Sequence, residues 1–558
     1  MCLKVDVGVQ GVYSYTPHQM LMSVTGGFTI GNGTESNSNF RGNTHQLGDD
    51  VSWIHGAHQF VFGVEAAMWN SASYANVRSP GVYSFNGQAT GLGLADFLTG
   101  KLQQLDQAAP NTIFTRQWYL GAFAQDTWKV SPRLTLNLGV RWEPWFPVII
   151  TNGAIYNYDL NRFVNGVKST VYKNAPAGMY WPGDQGFPGK QGIFNRLSNF
   201  GPRVGLAWDP KGDGRMTIRA SYGLGYDFVN GQFYINATIA PPFGDETRTS
   251  FGAGGLANPW LGIPGGNPFP LSFNPSNALF VPFGPYLSTN PHQHNTAVHT
   301  WNFTVQRQIG TPWLLSASYI GNETSHLVVT APENSAVFLG TGPCTLQGVS
   351  IPVCSTLANL NQRRQANLIR PSDGQLLGFV DGYDDGATMH YHALTTSLQR
   401  RFARNVSATV NYTWSHCITP DRYGHGGGTA NVANTILDPS NMNYDKGDCT
   451  WDRRHIFNLT VVAQVPKFTD RILRYVASGW QVAASARYQS AIPLTVTDSA
   501  DTSLNAVANQ RPNLVGNPYA SNKGSACPGK IACVSWLNPA SKLNGRAERM
   551  TSSGRLPR

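Results

Sequence analysis

Two stretches carry the residue types of chemistry. His390-Tyr391-His392 sets two imidazoles at i and i+2, with Asp381, Asp384 and Asp385 shortly before them. On a strand such a pair shares a face, which permits joint ligation of a metal ion. The same residues read as a polar loop entering a strand, and we take that reading, with no metal and no cofactor. His416-Cys417, His425 and Cys449-Thr450-Trp451-Asp452 raise Cys/His nucleophilic catalysis. That chemistry needs a base beside the thiol, and nothing in the sequence supplies one. Gly424 to Gly428 lacks the Lys-Ser/Thr of a phosphate-binding loop, and there is no G-x-S-x-G elbow. The residues point away from an enzyme.

The seven cysteines suit disulfides better than metal, because ligand clusters of the C-x2-C type are absent. Cys344 with Cys354, and Cys527 with Cys533, are local couples in loop-like sequence, and Cys417 with Cys449 spans a longer loop. Each suits a loop staple in an oxidising compartment.

The elements that hold these residues are strands. Arg116 to Phe146 reads as a long hairpin around Val130-Ser131-Pro132-Arg133. In its second arm Leu134, Leu136, Leu138, Val140 and Trp142 fall on one parity, and Thr135, Asn137, Gly139, Arg141 and Glu143 on the other. A period of two sends successive side chains to opposite faces. The pattern recurs at Met216 to Phe228, at Trp301 to Tyr319, at Leu394 to Trp414 and at Phe457 to Tyr488. With an opening hairpin that starts at Leu3, Val5, Val7 and Val9, the chain reads as seven hairpins, about 14 strands. Links within hairpins are mostly turns of a few residues, whereas links between hairpins are long and rich in Pro, Gly and Asn.

Composition narrows what surrounds the strands. Charged residues are 13% of 558, against about 25% in soluble proteins, while aromatics reach 11%, with 59 Gly and 35 Pro. Mean hydropathy is −0.25, and no apolar run approaches the ~20 residues of a membrane-crossing helix. Few charges, many aromatics and diluted apolar residues fit a transmembrane β-barrel with short periplasmic turns and long extracellular loops. Trp128, Trp142, Trp145, Trp208, Trp301, Trp313, Trp414 and Trp480 fall near strand ends, where indoles settle at headgroup level. The stripe Leu134, Leu136, Leu138, Val140 and Trp142 is expected to face lipid. Arg141, Glu143, Arg219, Asp227 and Arg487 are expected to face the lumen, since a basic charge on the lipid face costs about 2–4 kcal/mol at midplane. The net charge of +10 is scattered in single residues and short groups, so nucleic acid is not an expected partner.

Particular motifs carry a family resemblance. Ala124-Gln125-Asp126-Thr127-Trp128-Lys129, the Pro132-Arg133 turn and Leu134 to Glu143 resemble the barrel signature of TonB-dependent receptors. Asp50 to Trp53 leading to Gly56-Ala57-His58-Gln59-Phe60, Leu94 to Gly100, Asn199 to Gly205, Asp452 to His455 with Asn458, and Trp536 to Ala540 resemble the Oar-like branch. The similarity covers most of residues 20–540. It implies an all-β outer-membrane barrel over 1–540 and a polar, basic, unstructured tail over 541–558. Such barrels have ~22 strands, so about 14 would be an incomplete set. The resemblance also implies energised uptake of an extracellular ligand, with a plug domain and a TonB complex as partners. Neither a plug nor a TonB box is found here, and alternation replaces a signal peptide at the N-terminus, so a fragment is expected. A plug-free porin or adhesin, and a soluble secreted β-sandwich binding protein, are the competing readings.

Overall fold

The computed structural model describes residues 8–496 apart from 17–18, 32–37, 77, 229–231, 251, 264, 272–273, 404 and 421–435, together with short stretches between 501 and 543. The opening residues Leu3 to Val7, Cys527, Cys533, Trp536 to Ala540, His425, Gly424 to Gly428 and the 541–558 tail apart from Lys542–Leu543 lie outside the described residues. Lys542–Leu543 pairs as a short strand with Asn513–Leu514, so that part of the tail expected to be unstructured is not.

Twelve strands form one continuous antiparallel wall in chain order. They are β1 (Asn39–His55), β2 (His58–Ala75), β3 (Asn111–Ser131), β4 (Leu134–Trp142), β5 (Phe200–Trp208) and β6 (Met216–Tyr226). Then come β7 (Ala297–Ile309), β8 (Trp313–Pro332), β9 (Leu377–Ala403), β10 (Val406–Thr419), β11 (His455–Gln464) and β12 (Gln481–Gln489). Neighbour-to-neighbour pairing is what short turns allow. His55 pairs with His58 and Ser131 with Leu134, leaving two-residue turns. Gly56 and Asn405 take the positive φ that a tight hairpin turn requires. At Asp209 the carboxylate accepts from the amides of Lys211, Gly212 and Gly214, so the side chain itself holds the turn. Among the described residues β1 and β12 pair only inward, so the wall has two open edges.

The opening hairpin corrects the expected seven. Leu21–Val24 lies outside the wall, in a separate five-stranded sheet where it runs parallel to Val82–Phe85. Thr29–Ile30, Gln104–Gln107 and Thr247–Ser250 complete that sheet. Its strands come from the chain before β1 and from the β2–β3 and β6–β7 connections, at the end of the wall away from the short turns. Those long connections build a folded cap with cores of its own. One centres on Tyr156, Phe163, Trp181, Tyr286 and Leu377; another holds Ile113, Trp145, Ile150 and Tyr383.

Burial is therefore inverted relative to a soluble β-protein. The buried apolar side chains gather in the connections, while wall residues of apolar parity are open: Leu138 is 41% exposed, Val204 50% and Phe303 48%. They form one surface, because the register carries Leu138 to Val204, Tyr222 and Trp301 across β4 to β7. A contiguous apolar face of that extent marks contact with a nonaqueous partner. No described helix is long and apolar enough to cross a membrane.

Candidate functional site: the inner face and rims of the wall

Following register from strand to strand places Arg141, Arg203, Arg219 and Arg487 on one side of the wall. Leu134, Leu136, Leu138, Val140 and Trp142 lie on the other. The first side is concave. A cavity of about 700 Å³ is lined by Asp50 of β1, Phe123 of β3, Asn137 and Arg141 of β4, Arg203 of β5 and Thr300 of β7. Only a curved wall lets residues from strands that far apart border one space.

Arg141 organises the polar side. Its Nε donates to Glu143 Oε1 at 2.7 Å and its Nη2 to Glu65 Oε2 at 3.0 Å. It also donates to the Tyr119 hydroxyl, which in turn donates to Glu143 Oε1 at 2.7 Å. The guanidinium stacks 5.8 Å from the Phe123 ring centroid. Its reach across β3 depends on Gly121, where an added Cβ would fall 2.9 Å from Arg141 Nη2. Three strands are thus tied by one cation and two carboxylates, an arrangement that satisfies the guanidinium fork from both sides. Such a network fixes the polar side chains of β2, β3 and β4 in one rigid patch on this side of the wall.

Asp227, grouped with these residues by parity, sits one residue past β6. Its Oδ1 accepts from the Phe228 amide at 2.8 Å, so it closes the strand end. Trp145 is also displaced from its expected role. It is wholly buried within the cap core, three residues past the end of β4, where it bridges both Tyr119 of β3 and Arg196.

The apolar side is rimmed by aromatic and basic residues. Near the turns Trp53 stacks on Phe60 at 5.4 Å and His58 on Trp128 at 5.1 Å. Arg400 lies 5.5 Å from the Trp313 ring centroid. Arg307 interrupts the apolar parity of β7 just before its turn, opposite Met216, the first residue of β6. At that height a long cation reaches headgroups while its stem stays in hydrocarbon. Nearer the cap a device missed in the sequence repeats three times. Tyr222, Tyr319 and Tyr412 each bond, hydroxyl to Nδ1, with a histidine on the following strand: His299, His392 and His455, all at 2.8 Å. The available signal was a histidine two residues before a large apolar residue of each inward strand: His299-x-Trp301, His392-x-Leu394 and His455-x-Phe457.

The cap is held by buried ion pairs and disulfides. Arg78 and Arg248 approach Asp106 Oδ2 at 3.2 and 3.3 Å, and Arg248 donates to Glu246 Oε1 at 2.8 Å. Arg248 also stacks on Phe379 of β9 at 4.9 Å. Burial, with Asp381, Asp384 and Asp159 nearby, pushes the Glu333 carboxyl up to about 8, which favours its neutral form at neutral pH. Cys344 is bonded to Cys354 and Cys417 to Cys449. The second bond takes both thiols out of any nucleophilic role.

Comparison with known proteins agrees with this architecture. Residues 4–555 match the family model described as the outer membrane beta barrel domain. No curated protein matches. Among solved structures, the outer-membrane transporter YddB from Escherichia coli is similar at 11% identity and TM-score 0.41, over 85% of this chain and 50% of that one. The siderophore receptor PiuA from Acinetobacter baumannii is similar at 11% identity and TM-score 0.39, over 85% and 48%. The pyoverdine receptor FpvA from Pseudomonas aeruginosa is similar at 11% identity and TM-score 0.35, over 81% and 41%. The chain thus spans half or less of each of these proteins. The match covers nearly the whole sequence, and the twelve-stranded antiparallel wall is in keeping with it: this chain belongs to the outer membrane beta barrel domain family.

Proposed function

We propose that this chain supplies the wall and ligand-capturing outer loops of a TonB-dependent outer-membrane receptor of the Oar-like branch. Its role is binding and passage rather than catalysis. In that reading a plug domain fills the concave side, where the network of Arg141, Glu143 and Glu65 offers it a polar footing. The TonB complex supplies the energy that moves the plug. The observation that carries the reading is the asymmetry of the connections. At one end four of the six links are turns of two or three residues, with seven residues between β5 and β6 and sixteen, including a short helix, between β11 and β12, while the other end carries a cap with its own cores. A general pore has little use for so large a folded outer surface, whereas capture of a specific ligand does.

The open edges of β1 and β12 belong to the same reading. Unpaired backbone groups in hydrocarbon cost several kcal/mol each, so the working barrel closes through further strands, up to the ~22 of transporter barrels. Conductance of the purified chain in planar bilayers tests this. The receptor reading expects the chain alone, without its closing strands, to give no uniform conductance steps. Stable steps of one size would overturn it in favour of a plug-free porin.

A further inference from the structure

Asp385 does not join the His390-Tyr391-His392 stretch. His392 is engaged by Tyr319, and His390 Nδ1 lies 3.9 Å from Glu323. Asp385 turns instead to histidines from two other segments. His294 precedes β7 and His326 lies in the outer part of β8. His294 Nδ1 is 2.7 Å from Asp385 Oδ2, and His326 Nδ1 is 3.6 Å from the same oxygen. All three donor atoms lie within 4.8 Å of one another. The two imidazoles stack with centroids 4.4 Å apart, so both present Nδ1 toward the carboxylate.

The backbone is irregular at this point and nowhere else along the β8–β9 ladder. Pairing slips between Thr324 and Leu327 and again between Leu327 and Val329. His326 has a φ of +55°, a left-handed conformation that costs a non-glycine residue about 1–3 kcal/mol. Bulges re-aim side chains that regular pleating would send elsewhere, and here they bring His326 and Asp385 together. The carboxylate is held by the His294 amide, which donates to Oδ2 at 2.6 Å, and the His326 carbonyl accepts from Thr296 Oγ1 at 2.9 Å. Among the described residues no Lys or Arg forms an ion pair with Asp385. The other His/Asp cluster differs: Arg454 lies 3.8 and 3.6 Å from the carboxylates of Asp448 and Asp452 that flank His416.

We propose that His294, His326 and Asp385 bind a divalent transition-metal ion, with Zn²⁺ the best match to two imidazoles and one carboxylate. Tetrahedral bonds of about 2.0–2.1 Å set donor atoms roughly 3.3 Å apart, and the observed 2.7 and 3.6 Å bracket that spacing. Three protein ligands leave a fourth position for water or for a donor atom of a captured molecule. Both imidazoles are about half exposed, so an ion can enter from solvent. The proposal does not rest on the receptor reading and survives if uptake fails.

Co²⁺ is the probe, added to the purified chain in detergent. The expected result is one Co²⁺ per chain with intense visible ligand-field bands, displaced by Zn²⁺. His326→Ala and Asp385→Asn should each weaken binding by roughly 100-fold, at or beyond the loss caused by removing an outer-shell partner. Asp385→Asn keeps an oxygen for the His294 amide and so guards against misfolding. His416→Ala should leave binding unchanged. Absence of bands in the unaltered chain, or equal affinity in Asp385→Asn, overturns the proposal, as does loss of the bands in His416→Ala.

Discussion

Glu246→Ala should lower the stability of the cap by up to about 3–5 kcal/mol, the cost of breaking a largely buried ion pair by removing one partner. Glu246 takes the shortest bond of Arg248 and lies 3.8 Å from Arg78. Without it two partly exposed guanidiniums share the buried Asp106 alone. These residues come from connections far apart in sequence, so losing the pair loosens the five-stranded sheet as a unit. Tryptophan fluorescence on thermal melting should then show an earlier cap transition, with the wall transition unmoved. Glu246→Gln keeps a hydrogen-bond acceptor and should fall between the two. A single melt identical in all three chains would mean that the cluster carries no net stability.

The second large effect concerns the wall. Leu138→Arg should abolish the heat-modifiable band in outer-membrane fractions, whereas Asn137→Asp should leave it in place. The two positions are adjacent in β4 and face opposite ways. A basic residue at the midplane of the lipid face costs about 2–4 kcal/mol, and its direct neighbours across the ladder are Val204 on β5 and Asp126 on β3, whose carboxylate is already engaged by His58 at 2.7 Å. On the concave side the Asn137 amide already accepts from Thr127 Oγ1 at 3.0 Å, and a carboxylate preserves that acceptor. Equal behaviour of the two variants would show that the facing is wrong.

The wall was legible in the sequence because its signal is local. From Leu134 to Trp142 every second residue repeats the same choice, and Pro132 marks the turn. The same signal misled at the opening. Met20, Met22 and Val24 alternate as a wall strand would, yet they bury that face in the cap; alternation reports a buried or lipid-facing side without telling which. Trp145 shows the related limit, since nearness to a strand end does not distinguish a rim residue from the first residue of a core. The cap was illegible for another reason. Its cores join Tyr156, Phe280 and Leu377, brought together by irregular backbone that has no period to read. The cluster of His294, His326 and Asp385 was hidden most completely, because it depends on bulges that break the very parity used to assign faces.

The central claim is that one face of this wall meets lipid and the other a watery interior. Single nitroxide labels placed in turn at each position from Leu134 to Trp142, in the chain inserted in bilayers, read this directly through their accessibility to oxygen and to a water-soluble nickel complex. The expected result is a period of two, with oxygen favoured at Leu134, Leu136, Leu138, Val140 and Trp142, and nickel at Thr135, Asn137, Gly139 and Arg141. A flat profile, or one with the two sets exchanged, would contradict the assignment of lipid to the apolar face.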